Sequence, residues 1–257
     1  MQIKKIALAA LVAVAASPAF ALIDGAGLPM GQAELVFIAY NDKASFVKDL
    51  GITTDAFLAQ VNAGSFSVSV LGSEYSRFLA QTSGVATEWS IVAANPIEFG
   101  FNPGEINYYG TKNVDQATLG VNNQLFNDGV QGLSTYFGTV DDAANNAGIG
   151  IDAGINNIEW TGMAGTVEYA RGFHNLGNAY ATNNLVGVEA EMVYLTSSSA
   201  NSTHLVVGGA MGNPTLRANF DGANITANVA LVPEPGTYAL LLAGLCAVGF
   251  VARRRQA

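Results

Sequence analysis

Short segments rich in β-branched and aromatic residues recur along the middle of the chain, and each is bounded by glycine, asparagine or proline. Segments of this kind are typical of strands separated by turns. Many short strands favour an antiparallel sandwich over alternating strand and helix units. The predicted fold class is therefore mainly β and antiparallel β-sandwich-like, with one or a few short helices packed on it. The predicted strands are residues 33–40, 65–71, 87–93, 106–109, 166–173, 185–195, 205–211, 216–220 and 224–231.

Residues 186–192 show the clearest strand periodicity, because apolar residues alternate with Gly187, Glu189 and Glu191. Successive side chains of a strand point to opposite faces of the sheet, so both carboxylates are expected on one face and the apolar residues on the other. This alternation favours a sheet that is packed on one side.

One stretch has a helical period instead. Between Val114 and Phe137 the apolar residues lie mostly three or four positions apart, which places them on one helical face and predicts a helix packed against the sheet. Four glycines between 120 and 138 oppose this helix, since each costs about 1 kcal/mol relative to alanine. Shorter helices are predicted at residues 54–61 and 73–81.

The first 21 residues have the parts of a secretory signal peptide. Lys4 and Lys5 precede an apolar run at 6–16, and Ala19 and Ala21 form a small-x-small cleavage site. The apolar run is too short to span about 30 Å of hydrocarbon, which disfavours a permanent anchor. We expect export through the secretory translocon and removal of residues 1–21 by signal peptidase.

The last 26 residues, 232–257, contain three parts in a fixed order. A Pro233-Glu234-Pro235 motif is followed by an apolar run at 237–252 and then by Arg253, Arg254 and Arg255. The prolines disfavour sheet extension and indicate an exposed, extended linker. The apolar run reaches only about 24 Å as a helix, which is marginal for a membrane span. The arginines are expected to stay cytoplasmic, with the rest of the chain outside the inner membrane.

These three parts together resemble the PEP-CTERM sorting signal of Gram-negative bacteria. The resemblance implies recognition by an exosortase, which is thought to cut near the Pro-Glu-Pro motif, so the inner-membrane anchoring would be transient. The catalytic cysteine of that reaction belongs to the exosortase, and Cys246 is interpreted as an apolar residue of the helix. The resemblance covers about 25 residues and implies a route, not an activity.

A weaker resemblance lies in the body of the chain. Residues 35–42 and 45–51 are similar to the opening of a group of uncharacterised PEP-CTERM proteins. This similarity names no substrate. The predicted organisation is a signal peptide at 1–21, one secreted mainly-β domain at 22–231 and a sorting tail at 232–257.

The body is acidic and lacks cysteine. Residues 22–232 contain 19 acidic and 6 basic residues, which give a net charge of −13, and the chain's single cysteine is Cys246. An acidic field repels phosphate backbones, so no nucleic-acid binding is expected. Neither a disulfide nor a cysteine-ligated zinc site is possible in the body.

Two groups of acidic and amide side chains are candidates for chemistry. Glu189 and Glu191, expected about 7 Å apart on one strand, have a spacing that glycosidase carboxylates also show, but a solvated strand face is the favoured interpretation. An oxygen-rich loop at 141–157 contains residues that calcium accepts, but its spacing fits no EF-hand, and Asp and Asn favour turns. Its residues are Asp141, Asp142, Asn145, Asn146, Asp152, Asn156 and Asn157.

The remaining candidates are histidines and aromatic residues. His174 and His204 could form a metal pair with one of the strand glutamates, but surface histidines are the simpler interpretation, and no metal or other cofactor is predicted. No Gly-x-Ser-x-Gly motif accompanies them. Four aromatic residues could form a platform for sugar rings, although core packing explains most of them. They are Trp89, Trp160, Tyr108 and Tyr109.

The sequence therefore predicts a non-enzymatic, exported cell-surface or extracellular-matrix protein that an exosortase processes. A structural or adhesive role in an exopolysaccharide or biofilm layer is the favoured hypothesis, with extracellular polysaccharide as a possible partner. A carbohydrate-binding module is the alternative, and a secreted hydrolase is a third hypothesis.

Overall fold

Eleven strands and three helices form the part of the chain that the computed structural model describes. In chain order they are β1 (Glu34–Tyr40), β2 (Ala44–Thr53), α1 (Thr54–Ala63), β3 (Phe66–Ser69), α2 (Ser73–Thr82), β4 (Glu88–Asn95), β5 (Asn107–Asn113), α3 (Asn123–Asn146), β6 (Glu159–Met163), β7 (Asn184–Leu185), β8 (Ala190–Thr196), β9 (Thr203–Val206), β10 (Thr215–Phe220) and β11 (Asn224–Ala230). The described residues are 33–64, 66–95, 103, 105–113, 122–147, 158–170, 184–198, 203–206, 215–230 and 245–246.

The strands form one antiparallel sheet, which confirms the mainly β fold class. Their order is β3-β11-β10-β8-β5-β4-β1-β2-β6, while β7 pairs with β4 and β9 pairs with β8. The sandwich-like character comes from the curling of this single sheet.

Aromatic contacts across the sheet show the curl. Phe37 on β1 and Phe220 on β10 lie four strands apart in the sheet order. In a flat sheet four strand spacings amount to roughly 19 Å, yet the two ring centroids are 4.7 Å apart. The ring of Trp89 on β4 is 6.1 Å from that of Phe220. The sheet therefore wraps around these rings and encloses an inner core.

The first two helices cover this inner core. Helix α1 begins where the Thr53 hydroxyl accepts the Ala56 N–H at 3.3 Å, and Phe57 and Val61, one helical turn apart, are buried against the sheet. Helix α2 buries Tyr75 and Phe78 in the same cluster. Both helices therefore use a narrow apolar face to close the inside of the curl.

Helix α3 packs on the outer face of the central strands. Its buried residues continue at spacings of three or four positions from Val130 through Leu133 and Phe137 to Val140 and Ala144, and they join a second core cluster. This stripe extends beyond the predicted end at 137, which explains why the helix ends at Asn146. The predicted start at 114 lies outside the described residues.

The strand predictions differ from the structure in several places, and neither β2 nor β6 was predicted. Both faces of the long strand β2 are buried, but polar residues such as Lys48 and Asp49 interrupt its apolar residues, so it shows neither a period of two nor a continuous apolar run. Residues 164–168 form turns after β6, with Gly165 at φ 94° and Val167 76% exposed, so the predicted strand at 166–173 is wrong over its described part. The predicted strand 185–195 is interrupted by a turn in which Gly187 has φ 82°.

Candidate functional site

The residues predicted to direct sorting lie outside the described part of the chain. These are Ala19 and Ala21, the Pro233-Glu234-Pro235 motif, and the cluster Arg253, Arg254 and Arg255. Of the tail, Leu245 and Cys246 are described, and both are helical and exposed. Within the described residues no helix has the length and hydropathy needed to cross a membrane.

The two glutamates, Glu189 and Glu191, do not lie together on one strand as predicted. Glu189 is exposed and precedes β8, whereas Glu191 lies within β8 directly opposite Lys112 on β5. The Lys112 Nζ atom is 3.3 Å from Glu191 Oε2, and Lys112 is only 4% exposed. A buried ammonium needs an opposite charge, so Glu191 neutralises Lys112 and stabilises the pairing of β5 with β8.

The predicted oxygen-rich loop begins as a helix. Residues Asp141 to Asn146 form the last turns of α3, so the prediction of a loop is wrong there, and residues 148–157 lie outside the described part. His174 also lies outside it, and His204 is placed on β9 only by its backbone. Among the described residues no three His, Cys, Asp or Glu side chains are grouped so that they could hold a metal ion.

Asp141 faces a second buried acid, Asp49 on β2. Asp49 is 1% exposed, and its burial raises the pKa of the carboxyl from 3.8 to about 7. The negative charge of Asp141 raises the pKa further, while the N–H of Gly51, which donates to Asp49 Oδ1 at 2.7 Å, and the charge of Lys48 oppose the rise. Asp49 therefore changes its charge near neutral pH beneath helix α3.

The four candidate aromatic residues do not form a sugar-binding platform. Trp89, Tyr108 and Tyr109 are buried on the two faces of the sheet. Trp160 is half-buried, and the guanidinium carbon of Arg77 lies 5.9 Å from the centroid of its ring. The predicted alternative of core packing is thus correct for three of these residues, and Arg77 occupies the face of the fourth.

A different polar surface lies on strands β3, β11 and β10, where four of its seven residues are exposed and three are half-buried. Inward-facing residues of these strands, such as Val68, Ile225 and Phe220, pack in the inner core, so the alternate residues face outward. The strand pairings place the outward residues in rows across the sheet. We call this surface the polar ladder, and it consists of Asn219, Thr226 and Ser67 in one row, Asn224 and Ser69 in a second, and Arg217 and Asn228 in a third.

The polar ladder is almost neutral in an acidic protein. Six of its seven side chains are hydroxyls or amides, and Arg217 is its single charged group. The sequence contained a signal for it, because polar and apolar residues alternate through 215–220 and 224–230. The two strands were predicted, but not that their polar faces would lie side by side, which depends on the sheet order.

Comparison with known families matches one segment of the chain. The family model described as the PEP-CTERM protein-sorting motif matches residues 231–255. No curated protein and no solved structure matches the chain. The match confirms the predicted sorting signal, and it supports a surface or secreted protein that is processed by an exosortase.

Proposed function

We propose that this protein is a non-enzymatic structural component of an extracellular polysaccharide layer. The observation that carries the proposal is the sorting motif at residues 231–255, which directs the folded body out of the cell. Signal peptidase would remove the N-terminal segment, and an exosortase would then separate the body from the C-terminal tail.

The surface chemistry of the body supports this role. Hydroxyl and amide groups exchange hydrogen bonds with sugar hydroxyls and with water, and the polar ladder presents such groups in regular rows. The curled sheet buries an aromatic core on the inside and leaves Ser67, Ser69, Thr226 and Asn228 of this surface exposed. Such a body is suited to packing among neutral polysaccharide chains.

Cell fractionation tests the route and the destination together. In an exosortase-containing host, we expect the native protein in the extracellular layer. A variant with Pro233→Ala, Glu234→Gln and Pro235→Ala is expected in the membrane fraction, because the exosortase would not recognise its tail. Equal amounts of native protein and variant in the layer would contradict the proposal, as would native protein found only in the culture medium.

Direct glycan binding is a second candidate function, and the polar ladder is the observation that favours it. We expect Thr226→Val together with Asn228→Leu to weaken binding to a neutral polysaccharide by about ten-fold, because one or two net hydrogen bonds of roughly 1 kcal/mol each would be lost. Gln81→Ala, on the exposed side of α2, is the matched control and is expected to bind normally.

Affinity electrophoresis in gels containing the polysaccharide measures this difference. Tryptophan fluorescence is a poor reporter here, because Trp89 is buried and the Trp160 ring lies beside Arg77. Equal retardation of the double variant and the native protein would exclude the polar ladder as the glycan-binding surface.

A further inference from the structure

Strand β3 forms one edge of the sheet, and its backbone groups can be assigned to the two sides of the strand. The Val70 N–H donates to the Ala223 carbonyl at 2.9 Å, so the backbone of Val70 faces β11. Backbone groups of successive strand residues point to opposite sides, so Val68 also faces β11 while Ser67 and Ser69 face away from it. The N–H and C=O groups of Ser67 and Ser69 therefore point to the open edge.

The neighbouring strand gives the same assignment independently. The Asn224 carbonyl accepts the Asp221 N–H at 3.2 Å, which directs the Asn224 backbone toward β10. On β3, the residue opposite Asn224 is Ser69. Because the backbone of Asn224 points toward β10, Asn224 and Ser69 exchange no backbone hydrogen bonds. No described residue forms a backbone hydrogen bond with Ser67 or Ser69 at the open edge.

The opposite edge of the sheet is blocked. On β6 the outward-facing N–H of Thr161 donates to the Glu74 carboxylate of α2 at 3.0 Å, and the Thr161 hydroxyl donates to the Glu74 carbonyl at 2.7 Å. A charged side chain that occupies an edge prevents pairing with another chain. Among the described residues no charged side chain is hydrogen-bonded to the β3 edge in this way, and the segment 64–71 contains neither a charged residue nor a proline.

We propose that β3 pairs with the β3 strand of a second copy of this chain, so that the two sheets become continuous. The body has a net charge of −13, and most other surfaces of two copies would repel each other. Strand β3 carries no charge and therefore adds nothing to this repulsion. Leu71, two residues beyond Ser69, is 61% exposed and adds apolar area beside the edge.

Antiparallel pairing about a two-fold axis at Val68 satisfies the outward-facing backbone groups of Ser67 and Ser69. Ser67 of one copy then lies opposite Ser69 of the other, and each of the two such pairs exchanges two N–H to C=O bonds. The same patch serves both copies, as a two-fold interface requires. Four backbone bonds make a weak dimer, one that forms at high protein concentration. The polar ladders of the two copies would become one surface.

Proline at position 67 tests the pairing directly. Ser67→Pro removes the outward-facing donor but no bond to β11, and proline is tolerated at such edge positions. In sedimentation equilibrium of the full chain in detergent, we expect the native protein to dimerise with increasing concentration and Ser67→Pro to lower the association constant at least about ten-fold. Ser67→Ala keeps the N–H group and is expected to dimerise as the native protein does.

A charge exchange tests the register without disturbing the fold. The double variants Ser67→Lys with Ser69→Lys, and Ser67→Glu with Ser69→Glu, place like charges opposite each other in a self-pair, so each alone is expected to be monomeric. Mixed together they place opposite charges face to face, and a heterodimer is expected. A monomeric native protein, unchanged dimerisation of Ser67→Pro, or no heterodimer in the mixture would overturn the proposal. Because these measurements are made in solution, they are independent of where the protein resides in the cell.

Discussion

Replacing Phe220 with alanine is expected to destabilise the protein by about 3–5 kcal/mol, the usual cost of removing a buried phenylalanine. The Phe220 ring is fully buried. It packs against the rings of Phe37 on β1, Trp89 on β4 and Tyr75 on α2. Its loss would leave a cavity where β10 approaches β1 and β4. Urea unfolding followed by circular dichroism measures the change.

Thr226→Val is the matched control for this substitution. Thr226 lies on the adjacent strand β11 and faces outward, so a change within about 0.5 kcal/mol is expected. A double-mutant cycle with Phe37→Ala should also give a coupling energy of about 0.5–1.5 kcal/mol, as for other aromatic pairs. Additive effects of the two substitutions would show that the rings do not meet and that the sheet does not curl as described.

Asp49→Asn is expected to stabilise the protein by about 3–4 kcal/mol at pH 8 and to change its stability little at pH 4. The folded-state pKa of Asp49 is raised from 3.8 to about 7, mainly by burial. Between these two values the folded protein keeps a proton that the unfolded chain has lost. The stabilising contribution is therefore complete below about pH 4 and is lost as the pH rises through 7. Asparagine keeps the oxygen that accepts the Gly51 N–H.

Urea unfolding at a series of pH values measures this effect and separates its causes. The native protein should lose stability from pH 4 to pH 8, and the slope should be much smaller in Asp49→Asn. Asp141→Asn should remove only part of the slope, because the charge of Asp141 contributes less to the raised pKa than burial does. Parallel pH profiles for the native protein and Asp49→Asn would contradict the assignment.

The sequence predicted strands that alternate, such as β11, and strands that form a continuous apolar run, such as β1, but it missed β2 and β6. Strands β10 and β11 have one polar and one apolar face, so their period of two is visible along the chain. Strand β2 is covered on both faces, with Phe46 in the inner cluster and Val47 in the outer cluster, and Lys48 and Asp49 interrupt its apolar residues, so neither strand pattern is visible. The curl depends on contacts between distant strands and has no local signal.

The functional features differ in the same way: one is a local sequence motif, and the others depend on contacts between distant strands. The sorting tail is a linear motif, and the sequence alone was enough to identify it. The polar ladder and the open edge of β3 depend on which strands become neighbours, and the sheet order brings β3 next to β11 across about 160 residues of sequence. Glu191 is a candidate for chemistry in the sequence, but its role in the fold depends on its cross-strand neighbour, Lys112.

The mass of the exported protein tests the central claim most directly. Mass spectrometry of the intact protein recovered from the extracellular layer of an exosortase-containing host should give a chain that begins at Leu22. That chain should end near Pro233, Glu234 or Pro235, without the arginine cluster at 253–255. An extracellular protein that still ends at Ala257 would contradict exosortase processing and, with it, the proposed route to the layer.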